Sequence, residues 1–143
     1  MRRPTLIAMT LVGGLALAAP RHKDEPRKDS FIVGKWQMVS CDGRQYSDYH
    51  TSETFRADGT RLTWRRIGED EREIGGRYTI DTTAEPAQVD FLYGNGRLLM
   101  QGIFKVEGDT LTVCFRVVGS PRPEKFGEED AATVVYERVK PKD

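Results

Sequence analysis

The stretch GIFKVEGDTLTVCF, residues 102–115, reads as two alternating arms joined at Gly108-Asp109. Side chains along a strand point to opposite faces with period two, so a tight reversal fixes which residues share a face. With Gly108 and Asp109 as a two-residue loop, Val106 faces Leu111, Phe104 faces Val113 and Gly102 faces Phe115. All the large apolar residues then lie on one side. The missing side chain of Gly102 leaves room for the Phe115 ring.

Two further reversals extend the pattern. Asn95-Gly96 as a two-residue loop pairs Tyr93 with Leu98, Phe91 with Met100 and Val89 with Gly102. Asp58-Gly59 read the same way sets Phe55 opposite Leu62, Glu53 opposite Trp64, and Arg56 beside Arg61 on the outer face. Eight segments carry strand signals: 31–40, 51–57, 60–66, 73–81, 88–93, 97–107, 110–118 and 132–139. The connections 41–50 and 119–131 are longer, and the first has room for a helical turn. Eight sequential strands with one apolar face predict an all-β, antiparallel eight-stranded up-and-down barrel, which buries that face and removes both edges. A two-sheet β-sandwich is the alternative.

The domain occupies 31–140. Residues 1–18 read as a signal peptide: Arg2 and Arg3, then an apolar run, then Ala16-Leu17-Ala18. The run is shorter than the roughly 20 apolar residues a membrane span needs. Residues 19–30 are charged and proline-containing, a disordered tether. The reading is therefore export to the periplasm or the extracellular space, with no stable membrane span after cleavage. Tethering through an uncleaved signal is the alternative. Losing Arg2 and Arg3 leaves 20 basic against 22 acidic residues, a surface with no bulk attraction for nucleic acid.

Several segments resemble a known family in order and spacing: IVGKW, GGRYTID, QVDF, GIFKVEGDTLTVC and RPEKF. They are similar to a secreted lipocalin-like bacterial domain family of uncharacterised function, described mainly from planctomycetes. Arg77, Phe104 and Val89 stand where that family usually has threonine, tyrosine and isoleucine. The resemblance covers most of 32–139 and implies a lipocalin-like barrel and export. It draws attention to Gly34, two residues before Trp36, and to Gly102, Gly108, Asp109, Arg122 and Phe126. It implies no catalytic residues.

The residues themselves suggest little chemistry. His22 lies in the tether and His50 in a polar loop with Asp48 and Cys41 in reach, without the ligand spacing of a zinc site. No metal or cofactor is expected. Cys41 and Cys114 are the two cysteines, and alternation places both on the outer wall, so a disulfide stays open beside the reading of Cys114 as a small apolar residue under the 119–131 loop. Asp90, also outward, is placed to hold Arg122 in a bidentate pair, with Phe126 packing on the barrel. Leu92, Leu99 and Ile103 form an outward apolar patch needing that loop, or a partner, as cover.

The expected inward set is Trp36, Met38, Phe55, Leu62, Trp64, Tyr78, Phe91, Tyr93, Met100, Phe104 and Phe115, with Glu53 among them. Trp36, Glu53, Trp64, Tyr78, Tyr93, Phe104 and Phe115 are the candidate ligand contacts. So many large side chains raise the prospect of a filled interior, whereas a cavity of at least about 300 Å³ supports binding. Two functions follow: a binding module for a small apolar or amphipathic molecule, or an envelope-protein interaction module with a filled barrel. No matched nucleophile and base emerges, so an enzyme ranks last.

Overall fold

The computed structural model describes residues 31–45 and 49–142. The signal peptide, the tether, His22 and Asp48 lie outside the described residues. Eight long strands fall on the eight expected segments: β1 (Gly34–Cys41), β3 (Tyr49–Phe55), β4 (Thr60–Ile67), β5 (Asp70–Asp81), β6 (Ala87–Tyr93), β7 (Leu98–Glu107), β8 (Thr110–Val117) and β9 (Ala132–Arg138). Each pairs antiparallel with the next, and β1 also pairs with β9, so the sheet closes into an eight-stranded barrel. The 41–50 connection holds no helical turn in its described part; a two-residue strand, β2 (Arg44–Gln45), folds back on the end of β1.

The β7–β8 hairpin has the expected register, from Glu107 opposite Thr110 to Gly102 opposite Phe115. Gly108 takes φ 60°, the left-handed value its loop needs at the first position. A Cβ on Gly102 would stand 2.6 Å from the Cys114 carbonyl oxygen and 3.0 Å from the Phe115 Cβ. The close approach of β8 therefore requires glycine there.

The other two reversals differ from expectation for one reason. Each is a three-residue loop with glycine last: Ala57-Asp58-Gly59 and Gly94-Asn95-Gly96. The Arg56 N–H donates to the Thr60 carbonyl at 3.0 Å, and the Tyr93 N–H to the Arg97 carbonyl at 2.8 Å. The loop-final glycines sit at φ 84° and 85°. Asp58 Oδ1 accepts from the Thr60 N–H at 2.9 Å, and Asn95 Oδ1 from the Arg97 N–H at 3.0 Å. These side-chain turns favour the acid or amide in the middle of the loop rather than at its start.

The consequences diverge. In β6–β7 an irregularity beside Leu92 restores the ladder, so Phe91 faces Met100 and Val89 faces Gly102 as expected, while Leu92 rather than Tyr93 faces Leu98. In β3–β4 nothing compensates. Phe55 faces Arg61, Glu53 faces Thr63 and Ser52 faces Trp64. Leu62 and Trp64, expected inside, therefore lie outside. Arg61, expected beside Arg56 on the outer face, points in.

The lower end of the barrel is sealed. Trp36 is fully buried and its indole N–H donates to the Ile32 carbonyl at 2.8 Å. The Arg138 guanidinium lies 4.1 Å over the Trp36 ring and donates to the Val33 and Phe31 carbonyls. Gly34 makes this possible, because a Cβ there would meet Arg138 Nη1 at 3.0 Å. Phe55, Tyr78, Phe104, Leu111 and Val113 fill the space above.

On the outer wall, residues 119–131 form a strap. Arg122 Nη2 donates to Asp90 Oδ1 at 2.7 Å, and Nη1 donates to the Gly102 and Val89 carbonyls at 2.8 and 3.1 Å. The ion pair thus runs through one nitrogen instead of two. Arg116 pairs with Glu128 and Asp130 further along. Pro123, Ile103 and Cys114 are fully buried at this wall. Phe126 is half-buried beneath the Lys105 ammonium.

Two outcomes are expected. Gly102→Ala lowers stability by about 1–3 kcal/mol through overpacking, read from the denaturant midpoint. Arg122→Ala costs about 1–2 kcal/mol, since the pair is partly solvated. In a Cys41→Ser background it also speeds reaction of Cys114 with a thiol reagent.

Candidate functional site

The β3–β4 register sends Arg61, Thr63 and Arg65 inward, where alternation from a two-residue loop had placed Leu62 and Trp64. Short or extended polar side chains replace two bulky apolar ones, and the upper half of the barrel is hollow. The cavity measures about 510 Å³. Met38, Ile74, Phe91, Leu99, Met100, Phe115 and Val134 make its apolar wall; Thr51, Glu53, Arg61, Thr63 and Arg65 make a polar one, with Cys41 and Tyr136 between.

Glu53 is the deepest acid, 6% exposed. The Thr63 hydroxyl donates to its Oε2 at 2.8 Å, and Arg61 Nη1 approaches the same oxygen at 3.6 Å, beyond hydrogen-bond reach. The Arg61 guanidinium lies 4.5 Å from the Phe91 ring centroid. It reaches this position across Gly76, where a Cβ would come within 3.4 Å of Arg61 Nη2 and 2.9 Å of the Leu92 carbonyl oxygen. Among the described residues Arg61 makes no hydrogen bond; its Nε is buried with no partner, as is the Thr51 hydroxyl. Buried polar groups are normally satisfied, so two orphans on residues that line one cavity are notable.

Burial pushes the Glu53 carboxyl above its ordinary value, outweighing the Arg61 charge, the Thr63 hydrogen bond and the charge of Arg65. Burial likewise raises the Tyr136 hydroxyl, with the Glu53 charge adding to it. The Cys41 thiol is raised by burial and then by Asp42. Tyr136 and Cys41 are therefore neutral at physiological pH.

Of the expected contacts, Glu53 and Phe115 line the cavity. Trp36, Tyr78 and Phe104 are buried but contribute none of its wall. The Tyr78 hydroxyl is turned away, donating to the Arg56 carbonyl at 2.6 Å. Trp64 sits in a shallow outer groove with Lys35, Gln37, Ser52, Thr54, Leu62 and Glu73. Tyr93 is at the rim and 47% exposed. Leu99, expected on the outer patch, lines the cavity instead.

Cys41 also changes face. A register shift between Met38 and Ser40 inserts Val39 as an extra residue, so Cys41 stands opposite the inward Val134. Cys114 remains outside, its thiol 3.9 Å from the Lys125 carbonyl. Both cysteines are free, so the disulfide is not formed. His50 lies on β3 opposite Arg66. Among the described residues no three His, Cys, Asp or Glu side chains are grouped to hold a metal.

Thr51, Arg61, Thr63 and Arg65 went unrecognised. The signal was present in Asp58-Gly59-Thr60, where an acid two residues before a threonine favours the longer loop.

A group with a raised folded pKa contributes most stability below its unfolded value, and that contribution is lost as pH rises through the folded value. Wild type should therefore lose stability relative to Glu53→Gln as pH climbs from about 4.5, the ordinary value, through the raised one. Paired urea unfolding curves across pH 4–8 measure the difference; parallel curves would contradict it.

No protein-family model and no curated protein matches this chain. Solved structures similar to it include a fatty acid binding protein of Schistosoma mansoni in complex with arachidonic acid, at 12% identity and a TM-score of 0.42, covering 78% of this chain and 98% of that one. Another is the wild-type fluorescent protein UnaG, at 8% identity and a TM-score of 0.41, covering 77% of this chain and 98% of that one. The closed eight-stranded barrel itself rests on the continuous ladder from β1 through β9 and back to β1.

Proposed function

We propose that the chain is an exported, non-catalytic binding module that holds a small, mostly apolar molecule in the upper half of its barrel. The observation that carries this reading is the 510 Å³ cavity, mostly apolar in lining, with a few convergent polar groups. That volume and that mixture of walls are typical of small-molecule sites. Export rests on the signal-like residues 1–18, and the resemblance of the Gly-Asp-Thr-Leu and Arg-Pro-x-x-Phe blocks to a secreted bacterial family supports it.

A second reading draws on the rim. Ile67, Ile74, Tyr93, Val117 and Val118 are each about half exposed or more, and all belong to the upper end of the barrel. Such a ring suits contact with an envelope protein.

The neutral dye N-phenyl-1-naphthylamine separates the two. Binding in the cavity raises its fluorescence with wild type, and Met100→Trp, which fills space between Phe91 and Val117, weakens that binding at least tenfold while leaving the thermal transition in place. Equal dye binding by both proteins would remove the cavity from consideration. Native mass spectrometry of the chain recovered from its exporting host reports both a retained molecule and cleavage near residue 18.

A further inference from the structure

The deepest cation of the cavity is the least satisfied group in it. The Arg61 side chain is 10% exposed, and its one charged contact is the 3.6 Å approach to Glu53. A guanidinium carries five N–H donors in a rigid fork. Among the described residues none of the five finds an acceptor, and the Nε is sealed from solvent. Phe91 covers the guanidinium at 4.5 Å, and Gly76 keeps the space beside Nε and Nη2 clear of side chain. Glu53 accepts from the Thr63 hydroxyl through Oε2 and leaves Arg61 Nη1 at 3.6 Å, outside hydrogen-bond reach.

Charge points the same way. The ionisable groups lining the cavity are Glu53 on β3, Arg61 and Arg65 on β4, Cys41 on β1 and Tyr136 on β9. The last two are neutral, which leaves one acid against two guanidiniums. Arg65 lies nearer the rim, in a groove shared with Asp70 and Arg72. At the depth of Arg61 the acid is Glu53, held by Thr63, and a flat pair of oxygens from a ligand fits an arginine fork in bidentate fashion.

We infer that the cavity takes an amphipathic organic monoanion, whose carboxylate seats on Arg61 and whose apolar tail lies along Ile74, Leu99, Met100 and Val134 toward the mouth. This rests on the binding reading above and names the ligand class for it. Arg61 stands four residues below Arg65 on β4, roughly 13 Å at strand rise, so the anion enters first and the tail follows.

The test is displacement of N-phenyl-1-naphthylamine from the full exported chain by dodecanoate and by 1-dodecanol, both below micelle-forming concentrations at pH 7.5. Dodecanoate is expected to bind at least tenfold more tightly than dodecanol to wild type. Arg61→Met should bring the two within threefold of each other by weakening dodecanoate alone, and Arg61→Lys should fall between. Equal affinities for wild type overturn the inference and leave the binding reading intact. So does a dodecanoate preference that survives Arg61→Met. Failure of both molecules to displace the dye, or of the dye to bind, overturns the binding reading itself.

Discussion

The interior depends on one short reversal. Asp58 accepts hydrogen bonds from both the backbone N–H and the hydroxyl of Thr60, at 2.9 and 2.6 Å. Those bonds hold a three-residue loop, and the loop sets the phase of β4. Because the side-chain period is two, one residue of phase exchanges the entire contents of the two faces. Leu62 and Trp64 would otherwise fill the barrel and close it to any occupant. With the phase as found, the same strand lends the cavity two arginines and a threonine. It leaves its tryptophan on the outer wall among Lys35, Gln37 and Thr54.

That arrangement is expensive in stability. A buried carboxylate and a buried guanidinium at 3.6 Å lose hydration that their mutual attraction does not fully restore. The lower half offsets it. Trp36, Phe55, Leu111 and Val113 are essentially inaccessible to solvent, and the Trp36 indole is hydrogen-bonded to Ile32 and covered by Arg138. The barrel is thus two regions in series: a densely packed base that supplies stability, and an under-satisfied upper half that spends some of it on recognition. The outer strap adds to the base by engaging β6, β7 and β8 through Arg122 and Arg116.

Much of the architecture was legible in the residues, because period-two alternation and turn chemistry are local. All eight long strands, the Gly102–Phe115 contact and the pairing of Arg122 with Asp90 could be placed from spacing and side-chain type. The site was much less so. A hairpin register depends on whether Asp-Gly opens a two-residue loop or ends a three-residue one, and both sit comfortably in the same sequence. The bulge at Val39 that turns Cys41 inward, and the irregularity that turns Leu99 toward the cavity, answer to the curvature of a closed barrel, not to any local motif. Arginine on an apolar strand also reads as surface by default. Its burial is visible only once Gly76, its ladder partner on β5, and the Phe91 ring on β6 are known to lie against it.

The pairing of β1 with β9 has a consequence for timing. Trp36 stands opposite Arg138, so the first long strand receives its closing neighbour only when β9 has been made. Until then the nascent polypeptide carries two raw sheet borders and a half-covered tryptophan, held together solely by hairpins. Completion is necessarily a late event, after synthesis of the last strand. A product shortened before residue 132 would remain an open, adhesive ribbon.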